Sequence, residues 1–396
     1  TGRRYHAVRL VRDFDMQNLG AMLTRVDDPW RDREATVLGV DHNWRPTARW
    51  NIRTRLLGSR IDQAGDALQD YGATVWADYE MDHGWRQQWI AMHFGNDLQL
   101  NDFGYLSRNS TNYLHWEVRR RFTGLPEASR YSSKDWRWRV SSNHNNHGEK
   151  LNDQFRMSRE GQLRDGSYEY AQINVNSAGI SDTLLRGNGI VRLPANLNAY
   201  FEYERPRKGN WAHEVEVEAF GGGLAGNRKL GSAFWYGATY FINDAFSLNA
   251  GLNLVRRPDW LIWQGAAQGD LVGAFDGRET TLRAGLDWNI DPRQELRVKL
   301  EAIAISARAH DAWRFDAAGH AVAASDTVED FQVRNLGFQV RYRYELAPLS
   351  YLYVVYARGG YEQLAGTDGT DDALRDSFSL RNDEQLIVKL SYRFEL

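Results

Sequence analysis

Apolar and charged side chains alternate with a period of two residues in many segments of this chain, and this pattern constrains its fold most. The last segment shows it from Leu386 to Leu396, where apolar and aromatic residues occupy every second position. The alternation recurs at 114–122, 136–140, 282–289, 296–302 and 338–345. Successive side chains of a β-strand point to opposite faces of a sheet, so each segment is predicted to be a strand with one apolar and one polar face.

About 19 such segments, each roughly ten residues long, follow one another along the chain, and a tilted strand of that length crosses a bilayer. Charged residues make up 26% of the sequence and aromatic residues 13%, which is compatible with a membrane protein if the two kinds lie on different faces. The predicted fold is an all-β antiparallel transmembrane β-barrel of about 18–20 strands over residues 1–396. A soluble propeller or β-solenoid is the alternative, but the sequence lacks the repeat of about forty residues that a propeller requires.

Several absences exclude other classes of protein. The chain has no cysteine, which excludes a disulfide framework and a thiolate metal site. No run of about 18 apolar residues is present, so a transmembrane helix is not expected. The formal charge is −3, whereas a nucleic-acid-binding protein is expected to be strongly basic. Thr1 follows no methionine and no signal peptide is present, so the sequence is interpreted as a mature or trimmed form. No cofactor is expected.

Short and long connections alternate between the predicted strands. Short ones fall at 45–49, 243–244, 291–294 and 346–348, and long polar ones at 96–110, 178–195, 258–277, 307–329 and 360–383. Outer-membrane barrels have short periplasmic turns and long outer loops, so the two sets are predicted to lie on opposite sides of a membrane. Because an odd number of strands cannot close an antiparallel barrel, either a further strand lies at 184–192 or at least one strand precedes Thr1.

The C-terminal segment is also typical of the signal that the barrel-assembly machinery recognises, an alternating apolar strand with an aromatic-rich end. Its residues are Leu390, Tyr392, Phe394 and Leu396. Leucine stands at the final position, where phenylalanine is usual.

Several short motifs resemble those of one family. Val8 to Asp13 with Asn18 to Ala21 is similar to an "R-x-x-R-D … N-x-G" hairpin, Val40 to Arg45 to a "G-V-D" strand, and Asn101 to Asn109 to an "N-D-x-G-F/Y-x-x-R" loop. The family is an uncharacterised bacterial outer-membrane barrel family, domain of unknown function 5916. The resemblance implies a barrel preceded by a module similar to family-nine carbohydrate-binding domains, with the first barrel strands upstream of Thr1. It transfers no catalytic residue.

The polar faces of the predicted strands carry the candidate lining of a pore. The basic candidates are Arg53, Arg55, Arg119, Arg121, Arg137, Arg139, Arg341 and Arg343, and the acidic ones are Glu202, Glu204, Glu214, Glu216 and Glu218. Separated charges of this kind could create a transverse field or an oligosaccharide path. The alternative is a lumen filled by salt bridges, because burying so much unpaired charge is prohibitively costly.

Two loops hold further candidates. In the first, Asn96, Asp97, Asn101, Asp102, Tyr105 and Arg108 are candidates for a constriction or a glycan contact, with a solvated surface loop as the alternative. In the second, Asp368, Asp371 and Asp372 cluster oxygen ligands as a calcium site does, but without EF-hand spacing, so an acidic flexible loop is the alternative. The interval His144–Glu149 brings two imidazoles together without a third assigned ligand.

The search for a catalytic set yields one lead. No G-x-S-x-G turn occurs, which leaves Ser306 with His310 and Asp311 as the candidate trio. Neighbouring strand residues point to opposite faces, so His310 and Asp311 are expected to pair only in an irregular loop.

These features lead to three hypotheses for a protein placed in the outer membrane of a Gram-negative bacterium. The first is a transport or export pore for a polar solute, with saccharide as one candidate. The second is a plugged barrel that anchors a periplasmic module or an envelope complex, and the third is a barrel hydrolase. The expected partners are outer-membrane lipid and lipopolysaccharide, the barrel-assembly machinery, and a saccharide or an envelope protein.

Overall fold

The computed structural model describes residues 2–394 and is built almost entirely of β-strands. In chain order these are β1 (Arg4–Phe14), β2 (Gln17–Asp28), β3 (Arg33–Trp44), β4 (Trp50–Gln63), β5 (Asp66–Glu80), β6 (Trp85–Phe94), β7 (Thr111–Phe122), β8 (Tyr131–His144), β9 (Lys150–Leu163), β10 (Tyr168–Asn176), β11 (Gly179–Ser181), β12 (Val191–Leu193), β13 (Asn196–Lys208), β14 (Trp211–Leu224), β15 (Asn227–Phe241), β16 (Phe246–Trp263), β17 (Val272–Asp291), β18 (Gln294–Phe315), β19 (Ala321–Ala323), β20 (Phe331–Ala347), β21 (Ser350–Ala365) and β22 (Asp383–Ser391). The helix α1 (Thr370–Ser377) and two short 3-10 turns, Asp82–Gly84 and Ala266–Gln268, are the other elements. Among the described residues, no helix has the length and apolar character needed to cross a membrane.

Twenty of these strands belong to one sheet, in which the paired strands run antiparallel. One of the twenty, β19, has three residues, which leaves nineteen strands of nine residues or more in the described chain. Their number and length agree with the alternating segments of the sequence. The predicted fold class, an all-β antiparallel transmembrane β-barrel of about 18–20 strands, is confirmed. Of the two alternatives for the odd strand number, the one that placed a further strand at 184–192 is wrong, because this interval holds turns and only the first residues of the short β12.

The chain divides into two compact units. Unit 1 comprises Thr1–Pro126, Ser133–Arg159 and Asn174–Ile180, and unit 2 comprises Glu127–Ser132, Glu160–Ile173 and Ser181–Leu396. Unit 1 therefore holds β1 to β7 and most of β8 and β9, whereas unit 2 holds β13 to β22. Within each unit, successive long strands pair as hairpins.

Connections between the strands differ in length at the two ends of the strands of each unit. The turn end of unit 1 has the short connections 15–16 and 45–49, and the turn end of unit 2 has 209–210, 292–293 and 348–349. The loop end of unit 1 has the long connection 95–110, and the loop end of unit 2 has 264–271, 316–330 and 366–382. The long connection 177–195 follows β10. The predicted short and long sets lie at opposite ends of the strands, but two loop-end connections, 64–65 and 225–226, have only two residues. Three loops are shorter than predicted, because β16, β17, β18 and β21 continue into 258–277, 307–329 and 360–383.

Two β-bulges explain why the sequence pattern missed the ends of β16 and β18. In β16, Pro258 and Asp259 lie between residues paired with Gly277 and Phe275 and thus oppose one residue of β17. In β18, His310 has no opposite residue, because its two neighbours pair with consecutive residues of β17. An extra residue shifts the alternation of side chains by one position. The period-two pattern therefore ends at the bulge, and the remainder of the strand resembles a loop.

The apolar face of the sheet is exposed in both units. Large side chains on it expose 42–63% of their surface, and examples are Leu114, Trp116, Val140, Val217 and Leu254. A soluble sheet would cover such a face, whereas a transmembrane strand presents it to lipid.

Aromatic side chains gather at the turn end of this apolar face. The ring centroids of Trp50 and Tyr79 lie 4.7 Å apart in unit 1, and those of Trp211 and Tyr240 lie 4.7 Å apart in unit 2. Aromatic residues at one level of an apolar face are typical of the interface between lipid tails and headgroups. Each unit therefore carries part of an aromatic belt.

Buried apolar residues concentrate at the loop end. Val26, Ala35 and Ile61 form one such cluster in unit 1. In unit 2, Leu185, Val191, Leu224 and Val272 form a second cluster, and Ala302, Leu336 and Leu380 a third. The tightest packing thus lies where the loops fold onto the strands.

The C-terminal signal predicted from the sequence spans the end of β22. Leu390 belongs to the strand, and the rings of Tyr392 and Phe394 follow it with centroids 5.0 Å apart. Leu396 lies outside the described residues. Its role in assembly stays a prediction.

Candidate functional site

The arginines on the polar face of unit 1 contact carboxylates on neighbouring strands. Arg119 donates two hydrogen bonds to Asp135, from Nε to Oδ1 at 2.7 Å and from Nη2 to Oδ2 at 2.8 Å. Asp78 forms salt bridges with Arg53 at 3.2 Å and with Arg86 at 2.8 Å. The side chains of Asp78 and Asp135 are only 4% and 8% exposed. Both carboxylates are thus buried against the positive charges that they neutralise, and neither was among the predicted site residues.

The other basic candidates of unit 1 lie on the same face. Arg55 is opposite Asp41 in the register of β3 and β4. In the register of β7 and β8, Arg121 is opposite Asp135, Arg137 opposite Arg119 and Arg139 opposite Glu117. Arg139 also donates to Gln154 Oε1 at 3.0 Å. The predicted basic cluster is therefore a mixed network of arginines with acidic and amide groups, although Arg119 and Arg137 lie directly opposite each other.

A single buried glutamate forms salt bridges with both basic candidates of unit 2. Glu295 contacts Arg341 at 3.1 Å and Arg343 at 2.9 Å, and it also forms an ion pair with Arg297. Its side chain is 6% exposed. Arg341 and Arg343 are therefore held in an ion-pair network with a carboxylate that the sequence analysis did not single out.

The five acidic candidates form an acidic ladder on β13 and β14: Glu202, Glu204, Glu214, Glu216 and Glu218. Glu202 lies directly opposite Glu216, and Glu204 directly opposite Glu214. The hydroxyl of Tyr200 donates to Glu202 at 3.2 Å. Within residues 2–394, no Lys, Arg or His is recorded in a salt bridge with any of the five. Like charges directly opposite one another repel, so this part of the polar face keeps a concentrated negative charge.

Loop 95–110 is anchored to the strands by its own polar residues. Asp102 accepts two hydrogen bonds from Arg33, at 2.9 Å and 2.7 Å, and both side chains are largely buried. Asn101 accepts from the backbone N–H of Leu106 at 2.5 Å. These contacts hold the loop against the start of β3 and close its own turn.

The remaining candidates in this loop make contacts mainly through their backbone or with backbone groups. The backbone N–H of Asp97 donates to Asp70 Oδ2 at 2.9 Å, and the backbone oxygen of Asn96 accepts from Asn109 at 2.5 Å. Arg108 donates to the carbonyl of Ser110 at 3.3 Å. Tyr105, in contrast, is 83% exposed. Asn96, Asp97 and Asn101 are exposed as well, whereas Asp102 and Arg108 are partly buried, so four of the six predicted residues reach the surface of the loop.

A cavity of about 1040 Å³ lies at the loop end of unit 2. Its wall combines the aromatic residues Trp263, Phe275 and Phe331 with amide and carboxylate side chains such as Gln363 and Glu329. The lining comes from two loops and four strands that are distant in sequence, so no local motif could have revealed it.

An arginine joins the two loops beside this cavity. Arg314 contacts Asp270 at 2.9 Å and Asp326 at 2.9 Å. Hydrogen bonds from Arg314 lower the pKa of Asp326, and a hydrogen bond from the backbone N–H of Phe315 is the main cause of a lowered pKa at Asp270. Both carboxylates are therefore stabilised in their charged form.

The predicted catalytic trio does not assemble. His310 and Asp311 do pair, at 2.9 Å between Nδ1 and Oδ2, within β18 rather than in a loop. The bulge at His310 makes this possible, so the expectation that a strand would keep them apart was wrong. Ser306 instead hydrogen bonds to Thr370 at 2.7 Å, while the other ring nitrogen of His310 contacts the carbonyl of Pro258 at 3.2 Å.

The weak metal candidates lie in or beside regular structure. Asp371 and Asp372 occupy the first turn of α1, and Asp372 forms an ion pair with Arg375. The backbone of Asp368 contacts Gln332 at 3.4 Å. Across the part of the chain that the structure describes, no group of three or more His, Cys, Asp or Glu residues is arranged to hold a metal ion.

Comparison with known proteins identifies the family. The family model DUF5916, a domain of unknown function, matches residues 22–395. The chain belongs to this family, as its short motifs predicted. No curated protein matches the chain.

Solved structures of three receptors match the chain at low sequence identity. The siderophore receptor PirA from Pseudomonas aeruginosa is 8% identical, with 90% of this chain and 75% of that chain covered and a TM-score of 0.48. The ferripyoverdine receptor of the Pseudomonas aeruginosa outer membrane is 10% identical, with 99% of this chain and 58% of that chain covered and a TM-score of 0.47. The alcaligin outer-membrane receptor FauA from Bordetella pertussis is 11% identical, with 93% of this chain and 61% of that chain covered and a TM-score of 0.44. The chain spans about three fifths of the length of the last two receptors.

Proposed function

We propose that this chain is a pore of the Gram-negative outer membrane that carries a polar solute and prefers cations. The acidic ladder is the observation that carries the proposal. Its cross-strand pairs Glu202–Glu216 and Glu204–Glu214 place like charges side by side, an arrangement that costs stability. A ring or stripe of carboxylates of this kind attracts cations in a water-filled channel.

The same proposal covers location and partners. The exposed apolar face and its aromatic belt would contact outer-membrane lipid and lipopolysaccharide. The barrel-assembly machinery would insert the chain through the segment that contains Leu390, Tyr392 and Phe394 and ends at Leu396. Saccharide remains a candidate solute, because the cavity at the loop end of unit 2 combines aromatic walls with amide and carboxylate groups.

Single-channel recording in a planar bilayer tests the pore. With a KCl gradient, the wild-type chain should conduct, and its reversal potential should show cation preference. Glu202→Gln with Glu216→Gln should shift the reversal potential towards zero, whereas Glu216→Asp, which keeps the charge, should not. Block of the current by an oligosaccharide series would support saccharide as the solute. Absence of conductance would overturn the pore.

The contacts of unit 1 favour a second candidate function, a closed barrel that anchors an envelope complex. Here the arginines are held by buried carboxylates, and loop 95–110 is fixed to the strands through Arg33 and Asp102. Such an anchor would carry the carbohydrate-binding-like module that the family resemblance implies. A closed channel that binds glycans only when that upstream module is present would favour the anchor over the pore.

A further inference from the structure

We propose that unit 2 contains a binding site for a small zwitterion, with Asp259 holding the ammonium group and Lys229 the anionic group. Both residues line a cavity of about 270 Å³ near the loop end of β14, β15 and β16. The site is separate from the acidic ladder, and it stands whether or not the barrel conducts.

The Asp259 carboxylate is the first reason for the proposal. Its side chain is 1% exposed, and in the described chain neither of its oxygens accepts a hydrogen bond. Among residues 2–394, His310 is the only basic side chain within ion-pair distance: its Nε2 lies 3.5 Å from Oδ1 and also contacts the carbonyl of Pro258 at 3.2 Å. A buried charge is costly unless donors satisfy it, so this carboxylate is prepared for a ligand that brings several of them.

The backbone around Asp259 is built to keep it in place. Asp259 belongs to the bulge of β16, which re-aims its side chain away from the regular alternation. It lies against Gly223 of β14, where an added Cβ would be 2.6 Å from Oδ2. The φ angle of Gly223 is +84°, a conformation that favours glycine. The bulge and this glycine together create the position of the carboxylate.

The other residues that line this cavity indicate which charges the ligand carries. Phe220 and Trp260 supply aromatic surface, which favours a cationic group next to a carboxylate. Arg257 is already committed, because it contacts Glu279 at 3.1 Å and lies over the ring of Trp260. Lys229 has no salt bridge in the part of the chain that the structure describes. It can therefore pair with the anionic end of the ligand.

These groups match an ammonium and a carboxylate carried by one small molecule. An ammonium has three donors for the two oxygens of Asp259, and a carboxylate is the natural partner of Lys229. A neutral sugar would satisfy Asp259 through hydroxyls but would leave the charge of Lys229 unmatched. The ligand class with the best match is a neutral α-amino acid.

Calorimetric titration of the purified full chain in detergent micelles tests the site. Neutral α-amino acids, with L-alanine and L-valine as the first probes, should bind on the order of tenfold more tightly than propylamine or propionate, which each carry one of the two charges. Glucose should not compete. Failure of every amino acid probe to bind, or binding of glucose in their place, would overturn the proposal.

Variants separate a binding role from a structural one. Asp259→Asn and Lys229→Gln should each weaken L-valine binding on the order of tenfold, while Lys229→Arg should retain it. Arg228→Gln removes a neighbouring charge outside the cavity and should leave binding unchanged. Because Lys229 is exposed, its variants should fold even if Asp259→Asn does not. Unaltered binding in Lys229→Gln contradicts the assignment.

Discussion

The charged residues of β4 to β8 and those of β13 and β14 occupy the same kind of strand face but form different networks. In unit 1, Arg53 and Arg119 face the buried carboxylates Asp78 and Asp135. In unit 2, the glutamates of the acidic ladder face one another. The first network pairs opposite charges, whereas like charges repel one another in the second. The proposed cation preference rests on this second arrangement.

Removal of Asp135 should have the largest effect on this comparison. In Asp135→Asn, Arg119 loses both of its charge-assisted hydrogen bonds, and the free energy of unfolding should fall by about 3 kcal/mol because the guanidinium stays partly buried. Urea unfolding in phospholipid vesicles, followed by tryptophan fluorescence, measures it. Asp135→Glu, which keeps the charge, is the control. Equal stability of the two variants would mean that the network does not stabilise unit 1.

The anchor of loop 95–110 should give the next largest effect. Arg33→Met removes the partner of Asp102 and leaves that carboxylate largely buried, so opening of the loop should become easier by roughly 2 kcal/mol. Hydrogen exchange of the loop amides reports this local opening. Tyr105→Ala is the matched control, since its side chain is 83% exposed. Loss of protection in both variants alike would argue against an anchoring role for Arg33.

Neutralising the acidic ladder should act in the opposite direction. Glu216→Gln removes the charge that faces Glu202, so the free energy of unfolding should rise by about 0.5 kcal/mol. The same urea measurement applies. A destabilised Glu216→Gln would show that the ladder is structural, like the network in unit 1, and would weaken the proposed cation preference.

Acid should loosen the loops beside the large cavity, with a small effect. The pKa values of Asp270 and Asp326 are lowered from 3.8 by Phe315 and Arg314 respectively. A lowered pKa means that these contacts stabilise the folded loops above pH 3.8 and are lost as the pH falls below that value through the folded pKa. Hydrogen exchange of 316–330 between pH 5 and pH 3 should show the change. Arg314→Gln should reduce it, and an unchanged pH response in that variant would contradict the assignment.

Alternation of side chains was sufficient to predict the strands. The segments around Leu114, Trp138 and Val298 became β7, β8 and β18 with the expected polar and apolar faces. The reason is local: a strand that separates lipid from a polar interior needs the two-residue period in its own sequence. The pattern failed at Asp259 and His310, because a bulge inserts one residue and shifts the faces.

The partners of the charged residues depended on tertiary structure. The sequence identified Arg119 and Glu202 as residues of polar faces, but only strand register could place Asp135 beside the first and Glu216 opposite the second. Register joins residues across hairpins, and a shift of one residue reverses every contact. The sequence by itself therefore determined the strand architecture and the family. The tertiary structure decided which charges are neutralised, which repel, and where Asp259 lies buried without a hydrogen bond.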